Sequence, residues 1–300
     1  MVTIAVTESK NDPPRTRFFK RYENKVEEFG FDVKAYKRFE RFLNFLYQKW
    51  FRVQIAGLEN IPSSGSAVLF GNHSGTLPID GCLLYDAFVN YHPEPRRIRF
   101  LVTKFLMNAP KLGDFLRGFG CIVPDYNVST KLLRSGELVL FYPEGEAGTG
   151  KLYKDRYKLE EFKAGFVRAA IETGSPLLPV ATIGGDEIYP NLGNIEPLAK
   201  FLKFPYFPMT PFFPWFPFPL NLTPVPVKIM ICVWPAFRLD YPPEAAEDEE
   251  LVAKITNDIR NDLQAKVTDL LAMRKSRFGK WNMNQVKEYL ERTSSYTPTI

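Results

Sequence analysis

Short apolar runs and longer amphipathic segments alternate along the chain, and this pattern predicts strands and helices in turn. Runs typical of buried strands lie at residues 51–56, 67–70, 98–102, 121–123, 137–142, 177–182 and 227–234. Segments with apolar side chains at helical spacing lie at residues 81–89, 104–117, 159–173 and 245–274. Strands that alternate with helices favour an α/β fold in which a mostly parallel central sheet is flanked by helices.

The segment before the first strand predicts a basic amphipathic helical arm. Within residues 17–51, an aromatic and apolar stripe at helical spacing runs beside basic residues: Tyr36, Phe39, Leu43, Leu46, Tyr47 and Trp50, with Lys34, Lys37, Arg38, Arg41 and Lys49. Two interpretations fit, a helix at a membrane interface or a helix packed on its own domain. The predicted division is a tail and arm over 1–51, one domain over 52–275 and a C-terminal tail over 276–300.

Residues 201–220 interrupt the alternation of strands and helices. This segment carries nine aromatic side chains and six prolines. Proline at that density excludes a helix or a central strand. Three roles are open for an extended aromatic segment: it lines a tunnel for an acyl chain, it contacts a lipid interface, or it covers the core as an apolar loop.

Composition narrows the choice of partners. The formal charge is +5 and the pI is about 8.9, which suits phosphates, anionic lipid headgroups or coenzyme A but does not indicate nucleic acid. The cysteines, Cys82, Cys121 and Cys232, are scattered in apolar surroundings and predict buried thiols in a reducing compartment. Three scattered cysteines together with only two histidines argue against a structural zinc site. We expect a cytoplasmic protein without a secretory leader or a transmembrane helix.

A polar loop after the strand at 67–70 carries the first candidate chemistry. It runs from Gly71 through Asn72 and His73 to Asp80, between a strand end and a helix start, where α/β proteins place reactive groups. A carboxylate bonded to one ring nitrogen of a histidine fixes the tautomer and leaves the other nitrogen free as a base. His73 and Asp80 fit that arrangement; the alternative is a structural histidine that only bonds its neighbours.

A second turn, Tyr142-Pro143-Glu144-Gly145, ends the strand at 137–142. Because the carboxyl ends of parallel strands meet at one edge of a sheet, we expect Glu144 near His73. The alternative is an ordinary turn.

The residues from Gly145 to Lys151 also fit the G-x-x-x-x-G-K spacing of a phosphate-binding loop. However, Leu152 stands where that loop needs Ser or Thr to hold magnesium.

These blocks, taken in order, resemble the PlsC-like glycerolipid (lysophospholipid) acyltransferase family. The matching blocks are Asn72-His73-Ser74-Gly75 through Asp80, then Tyr142-Pro143-Glu144-Gly145, then Leu178-Pro179-Val180-Ala181. The similarity covers roughly residues 52–240. It implies a glycerol-3-phosphate acyltransferase-like fold and transfer of a fatty acyl group from acyl-CoA or acyl carrier protein (acyl-ACP) to a lipid hydroxyl. It implies no cofactor and no metal.

The resemblance also implies roles for residues. His73 would be the general base and Asp80 the carboxylate that orients it. Substrate contacts are implied for the matching residues of the loops and the middle block, with one lysine added as a phosphate anchor: Asn72, Ser74, Gly75, Lys104, Glu144, Gly145 and Lys151.

Three departures from the family pattern leave the acceptor open. Six residues separate His73 from Asp80, where the common motif has four. The Pro before Asp80 and the stretch from Gly184 to Tyr189 are similar to the diacylglycerol-acyltransferase-like branch. Arginines found in many phosphatidate-forming members are replaced by Pro124 and by Glu146-Ala147. The acceptor is therefore either neutral or held by another phosphate anchor, for which the choices are Lys104, Lys111, Arg117, Arg134 and Lys151.

The resulting hypothesis is an acyltransferase bound peripherally to the cytoplasmic membrane face, with lipid and an acyl thioester as partners and no nucleic acid. One alternative is a lipid-binding protein of the same fold without catalysis. The other is a nucleotide enzyme with a phosphate-binding loop.

Overall fold

A single large sheet organises the molecule. The computed structural model describes residues 11–23, 28–73, 79–202, 206–217 and 220–294. The strands are β1 Gln54–Ala56, β2 Ala67–Gly71, β3 Ile98–Leu101, β4 Cys121–Ile122, β5 Leu138–Phe141, β6 Leu177–Ile183, β7 Gly193–Asn194, β8 Pro208–Met209 and β9 Met230–Val233. The main sheet has the order β1-β9-β6-β2-β5-β3-β4, and β7 pairs with β8 in a small separate sheet.

Helices cover the main sheet on both faces. They are α1 Pro14–Tyr22, α2 Val33–Phe45, α3 Ile79–Tyr91, α4 Lys104–Met107, α5 Leu112–Gly118, α6 Tyr126–Arg134, α7 Glu146–Gly150, α8 Gly165–Thr173, α9 Glu196–Leu202, α10 Glu249–Ala272 and α11 Met283–Arg292. Neighbouring strands of the sheet are parallel except β6 and β9, which pair antiparallel. The predicted α/β class with a mostly parallel central sheet is confirmed.

The alternating side chains of the central strand build two halves of the core. On β2, Leu69 belongs to the cluster that includes α1, α2 and α3. Its neighbours Val68 and Phe70 belong to the cluster that includes α8, α10 and α11. All three side chains are almost completely buried. A strand buried on both faces explains the continuous apolar run in the sequence.

The N-terminal helices pack on the domain along one side only. Phe18 of α1 and Tyr36 of α2 are fully buried in the core, which matches the interpretation of a helix packed on its own domain. Phe42 and Phe45 of α2 are 57% and 46% exposed, and the lysines and arginines of this helix are exposed as well. This second face therefore has no protein cover within the described residues.

The C-terminal segment also contributes to the core. Trp281 is buried, and α11 places Val286, Tyr289 and Leu290 in the same cluster as α8 and α10. The division at residues 52 and 275 stays a prediction, but helices from both flanking segments pack on one core. No helix in the described part of the chain is long and apolar enough to cross a membrane.

Two predicted helices differ from the structure. The helix expected over 104–117 is two helices, α4 and α5, because Pro110 lies between them and cannot donate a helical hydrogen bond. The helix expected over 159–173 begins only at Gly165. Before it, the N–H of Leu159 donates to Gln264 and that of Lys163 to the carbonyl of Pro143, so these groups are used outside a helix.

Candidate active site

His73 and Asp80 lie in contact at the carboxyl end of β2. His73 follows that strand by two residues, and Asp80 stands in the first turn of α3. The distance between His73 Nδ1 and Asp80 Oδ2 is 3.1 Å. The Asp80 side chain is buried, and its other oxygen accepts the N–H of Gly81 at 2.8 Å. The His73 side chain remains 14% exposed, so its ring is not fully enclosed by the described residues.

The ring of Tyr142 stacks on the ring of His73. Their centroids are 4.1 Å apart and their planes differ by 13°. Tyr142 follows β5, which pairs with β2 so that Phe141 lies opposite Phe70. Burial raises the pKa of the Tyr142 hydroxyl, and the charge of Asp80 raises it further, so this hydroxyl stays neutral. The sequence did not predict this contact, although the expected neighbourhood of the two strands was a signal for it.

Glu144 connects the two loops of the site. One of its oxygens accepts the backbone N–H of His73 at 2.9 Å. The other accepts the amine of Lys151 at 3.0 Å and the N–H of Glu160 at 2.9 Å. The carboxylate is completely buried, so it orients His73 through the backbone and is not accessible to solvent. Its neighbour Gly145 adopts a φ of +58°, which favours glycine.

Lys151 lies between buried carboxylates. Its side chain is 4% exposed and pairs with Glu144. Asp186, just after β6, accepts the N–H of Tyr157 at 2.7 Å. Burial raises the pKa of Asp186 to about 6, the charge of Lys151 opposes that shift, and the charge of Glu144 adds to it. Asp186 was not predicted as a site residue; its position at the end of a buried strand was the available signal.

Comparisons with known proteins identify the family. Residues 52–183 match the family model described as Acyltransferase. An uncharacterised protein of Mycobacterium leprae is 39% identical over 256 residues, which cover 84% of this chain and 70% of that protein. The chain belongs to the acyltransferase family. The resemblance found in the sequence is therefore confirmed, and the protein is an acyltransferase.

Two further relatives are more distant. The Arabidopsis thaliana protein named 1-acyl-sn-glycerol-3-phosphate acyltransferase LPAT1, chloroplastic, is 27% identical over 170 residues, 50% of this chain and 43% of that one. The human protein named DGAT1/2-independent enzyme synthesizing storage lipids is 27% identical over 145 residues, 48% of this chain and 44% of that one.

A solved structure shares the fold. The 1-acyl-sn-glycerophosphate acyltransferase PlsC from Thermotoga maritima superposes with a TM-score of 0.52 at 19% identity, covering 80% of this chain and 81% of that one. At that identity the likeness concerns the architecture of the sheet and helices alone.

The other predicted site residues do not share one environment. Asn72 is buried, and its amide both donates to and accepts from the backbone of Thr182, which joins β2 to β6. Lys104 is exposed at the start of α4, after a strand that is two positions from β2 in the sheet. Ser74 and Gly75 lie outside the described residues.

The residues that have the spacing of a phosphate-binding loop do not form such a loop. The glycine-rich residues form the short helix α7, and the amine of Lys151 is engaged by Glu144. The lysine that a phosphate-binding loop would direct at its ligand is thus held inside the protein. Among the described residues, no cluster of His, Cys, Asp and Glu is suited to hold a metal ion.

Proposed function

We propose that this acyltransferase transfers a fatty acyl group from an acyl thioester, acyl-CoA or acyl-ACP, to a hydroxyl of a glycerolipid, with His73 as general base. The observation that carries the proposal is the 3.1 Å contact between His73 Nδ1 and the buried carboxylate of Asp80. A buried carboxylate favours the tautomer with hydrogen on Nδ1, which leaves Nε2 as the proton acceptor. The stacked ring of Tyr142 holds the imidazole plane in place.

The reaction then needs no covalent enzyme intermediate. Nε2 of His73 removes the proton of the acceptor hydroxyl as its oxygen attacks the thioester carbonyl. A carbon–oxygen bond forms, the carbon–sulfur bond breaks, and the proton passes from the imidazolium to the leaving thiolate. Asp80 stabilises the positive charge on the ring while it exists.

The acceptor is a lysophospholipid or a mono- or diacylglycerol. One relative is named for acylating a glycerol phosphate and the other for synthesising storage lipids, so both classes belong in the assay. Because Pro124 and Glu146-Ala147 replace arginines, a phosphate-bearing acceptor would need another cationic anchor. Glu144 already engages Lys151, so the remaining choices are Lys104, Lys111, Arg117 and Arg134.

The test is release of free thiol from a panel of acyl-CoAs and acyl-ACP, with lysophosphatidate, other lysophospholipids, monoacylglycerol and diacylglycerol as acceptors. We expect acceptor-dependent release that falls about 10²–10⁴-fold in His73→Ala and strongly in Asp80→Asn. His92→Gln is the matched control, because the two ring nitrogens of His92 bond to the carbonyl of Ile61 and the N–H of Glu94. Equal rates in wild type and His73→Ala would instead support a lipid-binding protein without catalysis.

We also propose that the protein binds the cytoplasmic membrane face through the exposed side of α2. Phe42 and Phe45 protrude there among Lys37, Arg38 and Arg41. Exposed aromatic rings beside basic residues suit an interface that contains anionic lipids. Sedimentation with anionic vesicles at low salt is expected, with loss in the double variant Phe42→Ser and Phe45→Ser. Equal sedimentation of the variant, or none of the wild type, would contradict the proposal.

A further inference from the structure

A basic loop that the proposed function does not use covers one end of the main sheet. The loop of residues 273–282 joins α10 to α11 and contains the run Arg274-Lys275-Ser276-Arg277-Phe278-Gly279-Lys280. The side chains of Lys275, Arg277 and Lys280 are exposed. Charges of one sign that lie together repel one another, so this loop gains from a ligand of opposite charge.

Hydrogen bonds fix the loop to the amino ends of β1 and β9. The side-chain amide of Gln54, the first residue of β1, donates to the carbonyl of Trp281 at 3.3 Å and accepts the N–H of that residue at 3.0 Å. The N–H of Lys228, two residues before β9, donates to the carbonyl of Arg277 at 3.3 Å. The loop is therefore held against the start of both strands.

The pairing of these strands brings three cations to one place. Gln54 lies opposite Met230 in the parallel pair, so Arg52 and Lys228 each come two residues before the same register position. Lys280 comes directly before the loop residue that Gln54 binds. The basic cluster defined by Arg52, Lys228 and Lys280 thus combines groups that are far apart in sequence.

Lys228 is a buried cation without a partner of opposite charge. The residue is 4% exposed, and in the described part of the chain no carboxylate pairs with its amine. Burial lowers the pKa of this amine, and the charges of Arg52 and Lys280 lower it further. A buried charge is costly unless an opposite charge joins it. The surroundings of Lys228 therefore favour a bound anion.

Arg52 adopts a backbone conformation that arginine rarely occupies. Its φ is +46°, in the left-handed region that favours glycine. The exposed guanidinium donates to the carbonyl of Pro226 at 3.1 Å, and no carboxylate among the described residues pairs with it. Strained backbone is common at ligand sites. Here it keeps a second cation without an acidic partner beside Lys228.

The carboxylate that the loop does contact is already engaged. Glu187 pairs with Arg274 and, at 2.8 Å, with Arg277, so two arginines of the loop share this one acidic group. The three residues of the basic cluster have no acidic partner in the ranges that the structure describes. The end of the sheet therefore keeps an excess of positive charge.

The basic cluster and His73 lie on different faces of the sheet. Val227 and Ile229 belong to the half of the core that contains α3, so Lys228 between them points to the half that contains α10 and α11. His73 binds Asp80, which stands on α3. In addition, β9 is two positions from β2, roughly 10 Å across the sheet. An anion at Lys228 therefore belongs to a molecule other than the acceptor that reacts at His73.

Exposed aromatic rings lie near the basic cluster. Phe278, in the loop, is 60% exposed. Trp50, two residues before Arg52, has its ring 6.1 Å from that of Phe45, which is 46% exposed on α2. A soluble phosphate has no use for apolar neighbours, whereas a phospholipid carries its phosphate next to acyl chains. The rings therefore favour a lipid as the source of the anion.

We propose that Arg52, Lys228 and Lys280 bind the phosphate group of an anionic phospholipid. Guanidinium and ammonium groups are the usual partners of phosphate oxygens in proteins. The proposal goes beyond the proposed function, because this lipid is bound and not consumed. It assigns a role to the basic loop and explains why an unpaired lysine is buried beneath it.

The first experiment measures binding of a lipid that is not in a membrane. Isothermal titration compares dihexanoyl phosphatidylglycerol, below its micelle concentration, with inorganic phosphate. We expect the wild type to bind the lipid, and Lys228→Met and Arg52→Asn each to weaken binding about tenfold or more. Methionine adapts to the space of the buried lysine, and asparagine tolerates a positive φ. Lys254→Met is the matched control, since it removes an exposed charge near the other end of α10.

The second experiment is thermal unfolding with and without the same lipid. Without lipid, Lys228→Met should have a higher Tm than the wild type, because the variant no longer buries an unpaired charge. The lipid should raise the Tm of the wild type and leave that of Lys228→Met unchanged. A lower Tm of the lipid-free variant, together with equal stabilisation of both proteins by lipid, would show that Lys228 is only structural and would overturn the site.

The titration separates the two sources of phosphate. Equal lipid affinity in the wild type, Lys228→Met and Arg52→Asn would overturn the site and leave a solvated basic surface. Inorganic phosphate that binds as tightly as the lipid, with the same dependence on Lys228, would overturn the lipid and assign a soluble phosphate. Neither measurement needs acyl transfer, so the outcome does not depend on the activity proposed for His73.

Discussion

At the residue scale, Glu144 supports the position of His73. Its buried carboxylate accepts hydrogen bonds from the Lys151 amine and from the backbone N–H groups of Glu160 and His73. We expect Glu144→Gln to lower the free energy of unfolding by about 3 kcal/mol, because the buried Lys151 loses its carboxylate, and to lower kcat as well. Urea denaturation measures the first effect. The exposed Glu146→Gln should stay within about 0.5 kcal/mol of wild type, and equal effects of both variants would refute the role given to Glu144.

Asp86 is predicted to make stability depend on pH. It is buried on α3 and accepts the hydroxyl of Tyr36 at 2.8 Å. Burial raises its pKa to about 6, although the Tyr36 hydrogen bond opposes the shift. A carboxyl with a raised pKa keeps its proton longer in the folded state, so this group makes stability fall as pH rises from about 4 to about 6.

Asp86→Asn should therefore be more stable than wild type at pH 8, by up to about 3 kcal/mol, and the difference should shrink towards pH 4. Urea denaturation at the two pH values measures it. A difference between the proteins that does not change with pH would show that Asp86 titrates normally.

The sequence predicted part of the site at this scale. His73 and Glu144 lie just beyond buried strands and Asp80 lies in the first turn of the next helix, and the structure brings the three together at one edge of the sheet. Their chemical roles remain predictions. Tyr142 and Asp186 were missed because stacking and burial depend on how strands are ordered in the sheet, which residue types alone do not reveal.

At the scale of elements, α7 fits closely against the loop that carries His73. A methyl group at Gly148 would approach Glu144 Cβ to 2.8 Å, so Gly148→Ala should displace α7 or His73 and reduce kcat at least tenfold. Gly165→Ala is the control, since nothing lies within 4 Å of a methyl group there and alanine favours the start of α8. Steady-state kinetics of both variants tests this prediction. Full activity in Gly148→Ala would contradict the tight fit.

The elements themselves were largely predictable. Each strand expected from an apolar run is present in the main sheet, because a strand buried on both faces has a distinctive sequence. The helix boundaries were less predictable. The backbone of residues 159–164 bonds to Pro143 and Gln264, and no local pattern indicates partners so distant in sequence.

At the scale of the whole molecule, the terminal helices pack on opposite faces of one sheet, α1 and α2 in one half of the core and α11 in the other. Leu290 of α11 is 5% exposed in the cluster formed with α8 and α10. Leu290→Ala should lower the free energy of unfolding by about 2–4 kcal/mol, whereas the exposed Lys287→Ala should change it by less than about 0.5 kcal/mol. Thermal or urea denaturation measures both. Equal effects would mean that α11 is only loosely attached.

The sequence could not show this packing of the ends. An amphipathic pattern reveals that a helix has an apolar face, but not whether a sheet, another helix or a lipid surface covers it. For α2 the stripe around Tyr36 is covered by the core, while Phe42 and Phe45 remain uncovered within the described residues. The interpretation of a helix packed on its own domain thus applies to the buried stripe, and the membrane interpretation stays a prediction for the exposed face.

The order of strands in the sheet has a consequence for biosynthesis. The early strand β1 pairs with β9, where Gln54 lies opposite Met230, and contacts between residues so far apart form slowly because a long loop must close. On the ribosome, β1 would wait for β9, its one neighbour among the described strands of the sheet, until residue 230 had been made. During that interval the exposed edge of β6 is open to pairing with other nascent chains, so chaperone demand should peak before β9 emerges.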